Sequence, residues 1–403
     1  MSSPSTGSAR DLRIDVFRGI ALLLILWAHL RWRMLGAEGD AFRINPGSWA
    51  LVDSADMFVF LSGYVYGLAY RRVYDRGGLW AVISKSFLRA WDLYVVNLLT
   101  FALAVAVSGW FYLRLAPETT APIDGLGRLF ERPLETLASA PLLNFQIPYF
   151  DVLVLYIGLL LVAPLLYAAL RWQWWAGVGL SAALYLAAQS GVRLFPGFFN
   201  MLGWQFLFTL AMAVSTYRPR IPKRKAWFVA VLALVLVPTV SVRLMHPLAL
   251  RGIVPDLGWF AIMEWAEKTS LAPFRILYFA CLLYLVYCVT RAEGRIWAST
   301  ALDPFRTASK HSLGVFAFGI FATYVGFLTS HALATGPAGA AVILVAACAA
   351  SLGIGYALEW RQRQRQLRPT QLRSLPPPPW RRRPVAGPPG RSRSRPRSID
   401  ASE

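Results

Sequence analysis

Arg18 and His29 stand eleven residues apart in RIDVFRGIALLLILWAHL (13–30), a stretch otherwise built almost wholly of apolar side chains. In a helix, eleven residues make three turns and about 20° more, so both side chains fall on one face, about 16 Å apart along the axis. Asp15, Leu22 and Ile25 share that stripe. A helix in hydrocarbon normally excludes ionisable groups; those it keeps face a bundle interior or a wet cavity and point to function. A neutral imidazole titrates near working pH and takes a proton from a hydroxyl. A guanidinium at the other end suits a phosphate or a carbonyl oxygen. The pair suggests chemistry that joins the two sides of a membrane. Asp15 reads as an interfacial partner of Arg18, and Arg18 admits that pairing as well as a functional role.

A second ionisable group lies in the next apolar run. Asp56, Phe60, Gly63 and Gly67 share a helical face. If the first two helices are antiparallel neighbours, Asp56 comes to the outer end beside His29. A carboxylate there holds the imidazole tautomer and stabilises the imidazolium; the plainer role is a cap at the water interface. Gly63 and Gly67 read as close-packing positions.

The elements that position these residues follow from composition. Of 403 residues, 56% are hydrophobic and 15% charged, where soluble domains carry about a quarter charged. The apolar residues gather into stretches long enough to cross hydrocarbon as helices. The expected fold is an all-α polytopic integral membrane protein with about ten spans, near 13–35, 49–70, 86–112, 149–170, 174–190, 200–217, 226–243, 272–290, 309–331 and 337–358. The first is read as a retained helix, not a cleaved signal. Basic residues concentrate in alternate loops (Arg71, Arg72, Arg76, Lys85 and Arg89; Arg218 to Lys225; Arg291 to Lys310) and in the tail, which predicts both termini inside. The chain then divides into a cytoplasmic N-terminus (1–12), a membrane domain (13–358) and a disordered Pro/Arg-rich tail (359–403). Two outward segments, about 113–148 and 244–271, cap the far side. The net charge of +20 belongs to this topology, with the lipid bilayer and not nucleic acid as partner. Cys281, Cys288 and Cys348 lie in apolar runs and read as packing residues. His29, His246, His311 and His331 are too scattered for a metal site.

Several stretches, in order, resemble the OpgC family, named for succinylation of osmoregulated periplasmic glucans and related to the acyltransferase family 3 superfamily. They are RDLRIDVFRGIALL (10–23), DMFVFLSGYVYGLAY (56–70), FLRAWDLYVVNLL (87–99), FDVLVLYIGLLLVAPLL (150–166), FFNMLGWQFLFTLA (198–211) and KHSLGVFAFG (310–319); Arg18, ten residues and His29 match the first-helix signature. The resemblance implies a bacterial inner-membrane O-acyltransferase. It would take an acyl group from cytoplasmic acyl-CoA, a co-substrate and not a bound cofactor, to a periplasmic glucan or other exported polysaccharide. Where the family carries an Asp before the His, this chain has Ala28, so Asp53 or Asp56 would have to orient the imidazole.

On that reading His29 and Asp56 are catalytic. Arg18, Arg71, Arg72, Lys85, Arg89 and His311 receive the donor, guanidinium groups suiting its phosphates. Asp151, Trp204 and Gln205, with Asn200 beside them, hold the sugar. Arg31 and Arg33 clamp the free carboxylate of a succinyl donor. Positive-inside charge explains the inner basic residues equally well, an interfacial position His311, and an aromatic belt most of the tryptophans. The alternative function is a transporter or flippase for a lipid-linked or anionic sugar, with the charged stripe as its pathway; a structural subunit would need no His29 stripe.

Overall fold

The computed structural model describes residues 11–35, 51–114, 131–195, 197–241, 265–290 and 294–374, with side chains to 366 in the last stretch, and a few isolated positions between. The expectations for residues 1–10 and 375–403, and for most of the two outward segments, lie outside them. All the described elements are helical: α1 (Leu12–Leu35), α2 (Ser54–Arg114), α3 (Pro133–Ser139), α4 (Asp151–Trp172), α5 (Trp174–Gln189), α6 (Met201–Tyr217), α7 (Lys225–Val240), α8 (Pro273–Val289), α9 (Asp303–Lys310), α10 (Ser312–Ala332) and α11 (Pro337–Ser374), with two short 3-10 turns before α9. Among the described residues, four helices are long and apolar enough to cross a membrane: α2, α4, α10 and α11; α7 and α8 are shorter apolar helices. These are the helices of a membrane protein. The sequence expects about ten crossings, of which length and apolarity among the described residues support the helices just named.

One expected boundary is corrected. The inner loop between the second and third apolar runs is not a loop, because helix continues from Ser54 to Arg114, broken only at Gly78 (φ 62°, ψ −161°). That left-handed angle is open to glycine without a Cβ clash, so the chain turns at one residue and Arg71, Arg72, Arg76, Lys85 and Arg89 all sit on helical faces. At the other end, α11 runs on to Ser374, past the expected end of the membrane domain at 358. By contacts the chain divides between Glu359 and Trp360.

Within residues 11–359, α2 packs along α6 and α4, α1 along α9 and α10, α5 along α6, and α7 along α8. Small residues make the closest approaches. A Cβ on Gly63 would run into the Phe208 carbonyl, and one on Gly67 into Ser215, which is the packing role expected of both. A Cβ on Gly19 would strike the backbone of Phe305, so α1 and α9 touch main chain to main chain. Trp204, Tyr167, Phe150 and Phe208 are the largest fully buried side chains.

The N-terminal ends of α2 and α8 are joined by charge. Arg275 Nε donates to Asp56 Oδ1 at 2.9 Å and Nη2 to Oδ2 at 2.6 Å; Nη1 donates to the carbonyls of Leu51 and Ala266. Asp53 accepts from Lys268 at 2.6 Å and lies 3.4 Å from Arg275. Asp56 is fully buried and Arg275 nearly so. Losing one partner of a buried ion pair strands the other and costs about 3–5 kcal/mol, whereas replacing both by apolar residues is often neutral. Arg275→Leu or Asp56→Leu alone is therefore expected to lower the detergent-solubilised protein's unfolding midpoint strongly, and the double variant to recover most of the loss. Thermal unfolding of the three variants checks this.

Candidate active site

Between α1, both halves of α2, α4 and α10 lies a cavity of about 450 Å³, within the range of ligand pockets. Three of the expected donor-binding residues line it: Arg18, Lys85 and Arg89. Arg18 Nη2 donates to Ser312 Oγ at 3.0 Å, and its guanidinium lies 5.7 Å from the centre of the Phe58 ring. Lys85 stands 5.2 Å over the ring of Tyr70, which stacks on Tyr66 at 3.8 Å. Arg89 pairs with Asp92, one turn on, at 3.9 Å. The other donor residues are placed elsewhere. Arg71 faces Asp75, which also takes Arg171 at 2.8 Å. Arg72 is exposed on α2. His311 pairs with Glu359 of α11 at 2.9 Å and leaves the cavity wall to its neighbour Ser312.

The C-terminal end of the α1 stripe is built around His29. Its ring stacks on Tyr149 at 4.1 Å, and the Tyr149 hydroxyl donates to the His29 carbonyl at 3.4 Å. Arg33, one turn on along α1, donates from Nε to that same hydroxyl at 3.1 Å, and its guanidinium lies over the rings of Tyr149 and Phe327. Tyr149 has a φ of 77°. A non-glycine residue in this region costs on the order of 1–3 kcal/mol and persists where its surroundings over-determine it; here the ring stack and the two hydroxyl bonds do so. Leu22, Ile25 and His29 border a crevice of about 10 Å³ against α10. The stripe thus faces internal space along its length, with Arg18 on one void and His29 on another.

The expected pairing of Asp56 with His29 is corrected: both carboxylate oxygens are engaged by Arg275, so Asp56 locks α2 to α8. The other carboxylate considered for that role, Asp53, accepts from Lys268. The acceptor residues are also spoken for. Gln205 accepts from Ser181 Oγ at 2.6 Å and donates to the carbonyls of Ser181 and Leu202. Trp204, fully buried, donates to the carbonyls of Lys268 and Thr269. Asn200 caps α6, and Asp151 Oδ1 accepts from the amide of Phe198 at 3.1 Å. A side chain whose polar atoms are saturated inside the protein has nothing left to offer a sugar, so Trp204 and Gln205 hold helices and loops together.

Arg275, Lys268 and Tyr149 escaped the sequence reading. Arg275 carried a usable signal, an arginine inside the expected 272–290 span, the feature that singled out Arg18. Tyr149 carried none, because tyrosines abound at membrane interfaces.

A family model described as OpgC protein matches residues 10–363, most of the chain. No curated protein and no solved structure matches it.

Tyr149→Phe keeps the ring on His29 but removes the hydroxyl that joins it to Arg33. The expected cost is about 1 kcal/mol, and Tyr149→Ala, which also loses the stack, costs more. Unfolding midpoints in detergent rank the two.

Proposed function

We propose that this chain, which belongs to the OpgC family, is a membrane O-acyltransferase that moves an acyl group, succinyl by preference, from cytoplasmic acyl-CoA to hydroxyls of a periplasmic glucan. The family carries a role in modifying periplasmic glucans by acyl transfer. The observation that carries the finer reading is the cavity lined by Arg18, Lys85 and Arg89, whose wall residue Phe316 also borders the crevice at His29. One side of that ring has cations suited to the phosphates of a nucleotide thioester, and the other has a base suited to a hydroxyl.

The step follows from those groups. The donor lies with its phosphates among Arg18, Lys85 and Arg89 and its thioester towards His29. The imidazole takes the proton of a sugar hydroxyl, and that oxygen attacks the thioester carbonyl carbon. The carbon–sulfur bond then breaks, and the departing sulfur takes the proton back from the imidazolium. The products are a sugar ester and free coenzyme A. Attack by the imidazole itself, with an acyl-histidine resolved by the sugar, balances equally. Arg33, held beside His29 by Tyr149, would meet the free carboxylate of a succinyl group; Arg31, which is buried, is the second candidate for that role. Arg71, Arg72 and His311 lie off the cavity and are left with the approach of the donor.

A strain lacking its own glucan acylation, carrying this protein or its His29→Ala variant, tests the reading by mass spectrometry of periplasmic glucans. The native protein is expected to add a succinyl increment. The variant is expected to lose it, by about 10²-fold or more for removal of a general base. Purified protein should also consume acyl-CoA, which a transporter would not; no consumption and no increment would sink the proposal. Arg18→Ala is expected to raise KM for acyl-CoA more than it lowers kcat. Arg33→Ala is expected to shift donor preference from succinyl towards acetyl.

A further inference from the structure

The cavity and the His29 crevice share one wall. Phe316 of α10 lines both, and its ring lies nearly parallel to that of Phe58, with 6.1 Å between centres and 11° between planes. The two halves of this pair are held differently. Phe58 is braced: Tyr156 packs against its ring at 5.4 Å and donates to its carbonyl, and the Arg18 guanidinium lies over its face. Among the described residues, the ring partner of Phe316 is Phe58 alone. Gly319, one turn further along α10, borders the crevice with no side chain, and a Cβ there would meet nothing closer than 3.8 Å. A crevice of about 10 Å³ is at the lower limit for one water and far too small for an acyl group.

We infer that Phe316 is a specificity-determining gate: an acyl chain reaches His29 from the cavity only when this ring swings off Phe58, and the room so opened limits the acyl groups transferred. This rests on the acyltransferase reading above. A short acyl group slips through a partial opening; a longer or branched one requires the ring to leave its place. Substrate discrimination by the fit of an apolar wall is worth about 10–200-fold per methylene-sized change.

The test measures turnover of acetyl-, succinyl- and hexanoyl-CoA by purified full-length protein with glucan as acceptor, comparing native, Phe316→Ala and Phe316→Leu. Leucine keeps an apolar side chain of useful volume, so it reports even where alanine fails to fold. The expected result is a rise of about tenfold or more in the ratio of hexanoyl to the better short donor with alanine, and a smaller rise with leucine, while His29→Ala abolishes turnover of all three. Native turnover with the same ratio in both folded variants overturns the gate and leaves the acyltransferase reading intact. Absence of turnover by the native protein with every donor overturns that reading and the gate with it.

Discussion

A guanidinium and a carboxylate, both withdrawn from solvent, hold one end of the bundle. Arg275 grips both oxygens of Asp56 and two main-chain carbonyls besides, so nearly all its donors are used at one point. Such a pair is stable only as a pair, since either ion left alone in an apolar surrounding is strongly penalised. The constraint propagates along α2. Phe58, Ser62, Tyr66 and Tyr70 follow Asp56 on the same helix and line the internal cavity; if α2 turned or slid, that wall would turn with it. Asp53 and Lys268 extend the same network beyond Arg275. The lock is therefore structural in its contacts and functional in its consequences.

The first helix works as a ruler. Its backbone sets the spacing between Arg18 and His29, and its stripe keeps both turned inward. The two sit in different surroundings. Arg18 meets Ser312 and an aromatic face at a cavity with two further cations. His29 meets Tyr149 and, through it, Arg33. Apolar side chains separate them, which suits the proposed transfer, with a charged donor at one end and water excluded at the other. A dry site strengthens the electrostatic interactions within it, and Phe316 stands between the two voids.

Local periodicity decided much of this molecule. The apolar runs became helices, Leu22, Ile25 and His29 came to one face of α1, and Gly63 and Gly67 came to lie against α6, because each depends only on residues a few turns apart and on their size and polarity. Arg18, Lys85 and Arg89, read from the sequence as members of one group, line one cavity. What periodicity does not carry is the choice of partner. Asp56 had a chemically reasonable neighbour in His29, but Arg275, 219 residues away in the chain, offered a bidentate charge-assisted contact and took it. Gln205 and Trp204 had the right types for a sugar, but inter-helix carbonyls and hydroxyls claimed their polar atoms first. Gly78 let one helix run into the next where a loop was expected, a matter of a single φ angle. The meeting of Phe58 and Phe316 exists only because α2 and α10 pack against each other. Composition and spacing could say which side chains would turn inward; which of them would meet was decided by packing in three dimensions, where each buried polar atom must find a partner among all helices at once.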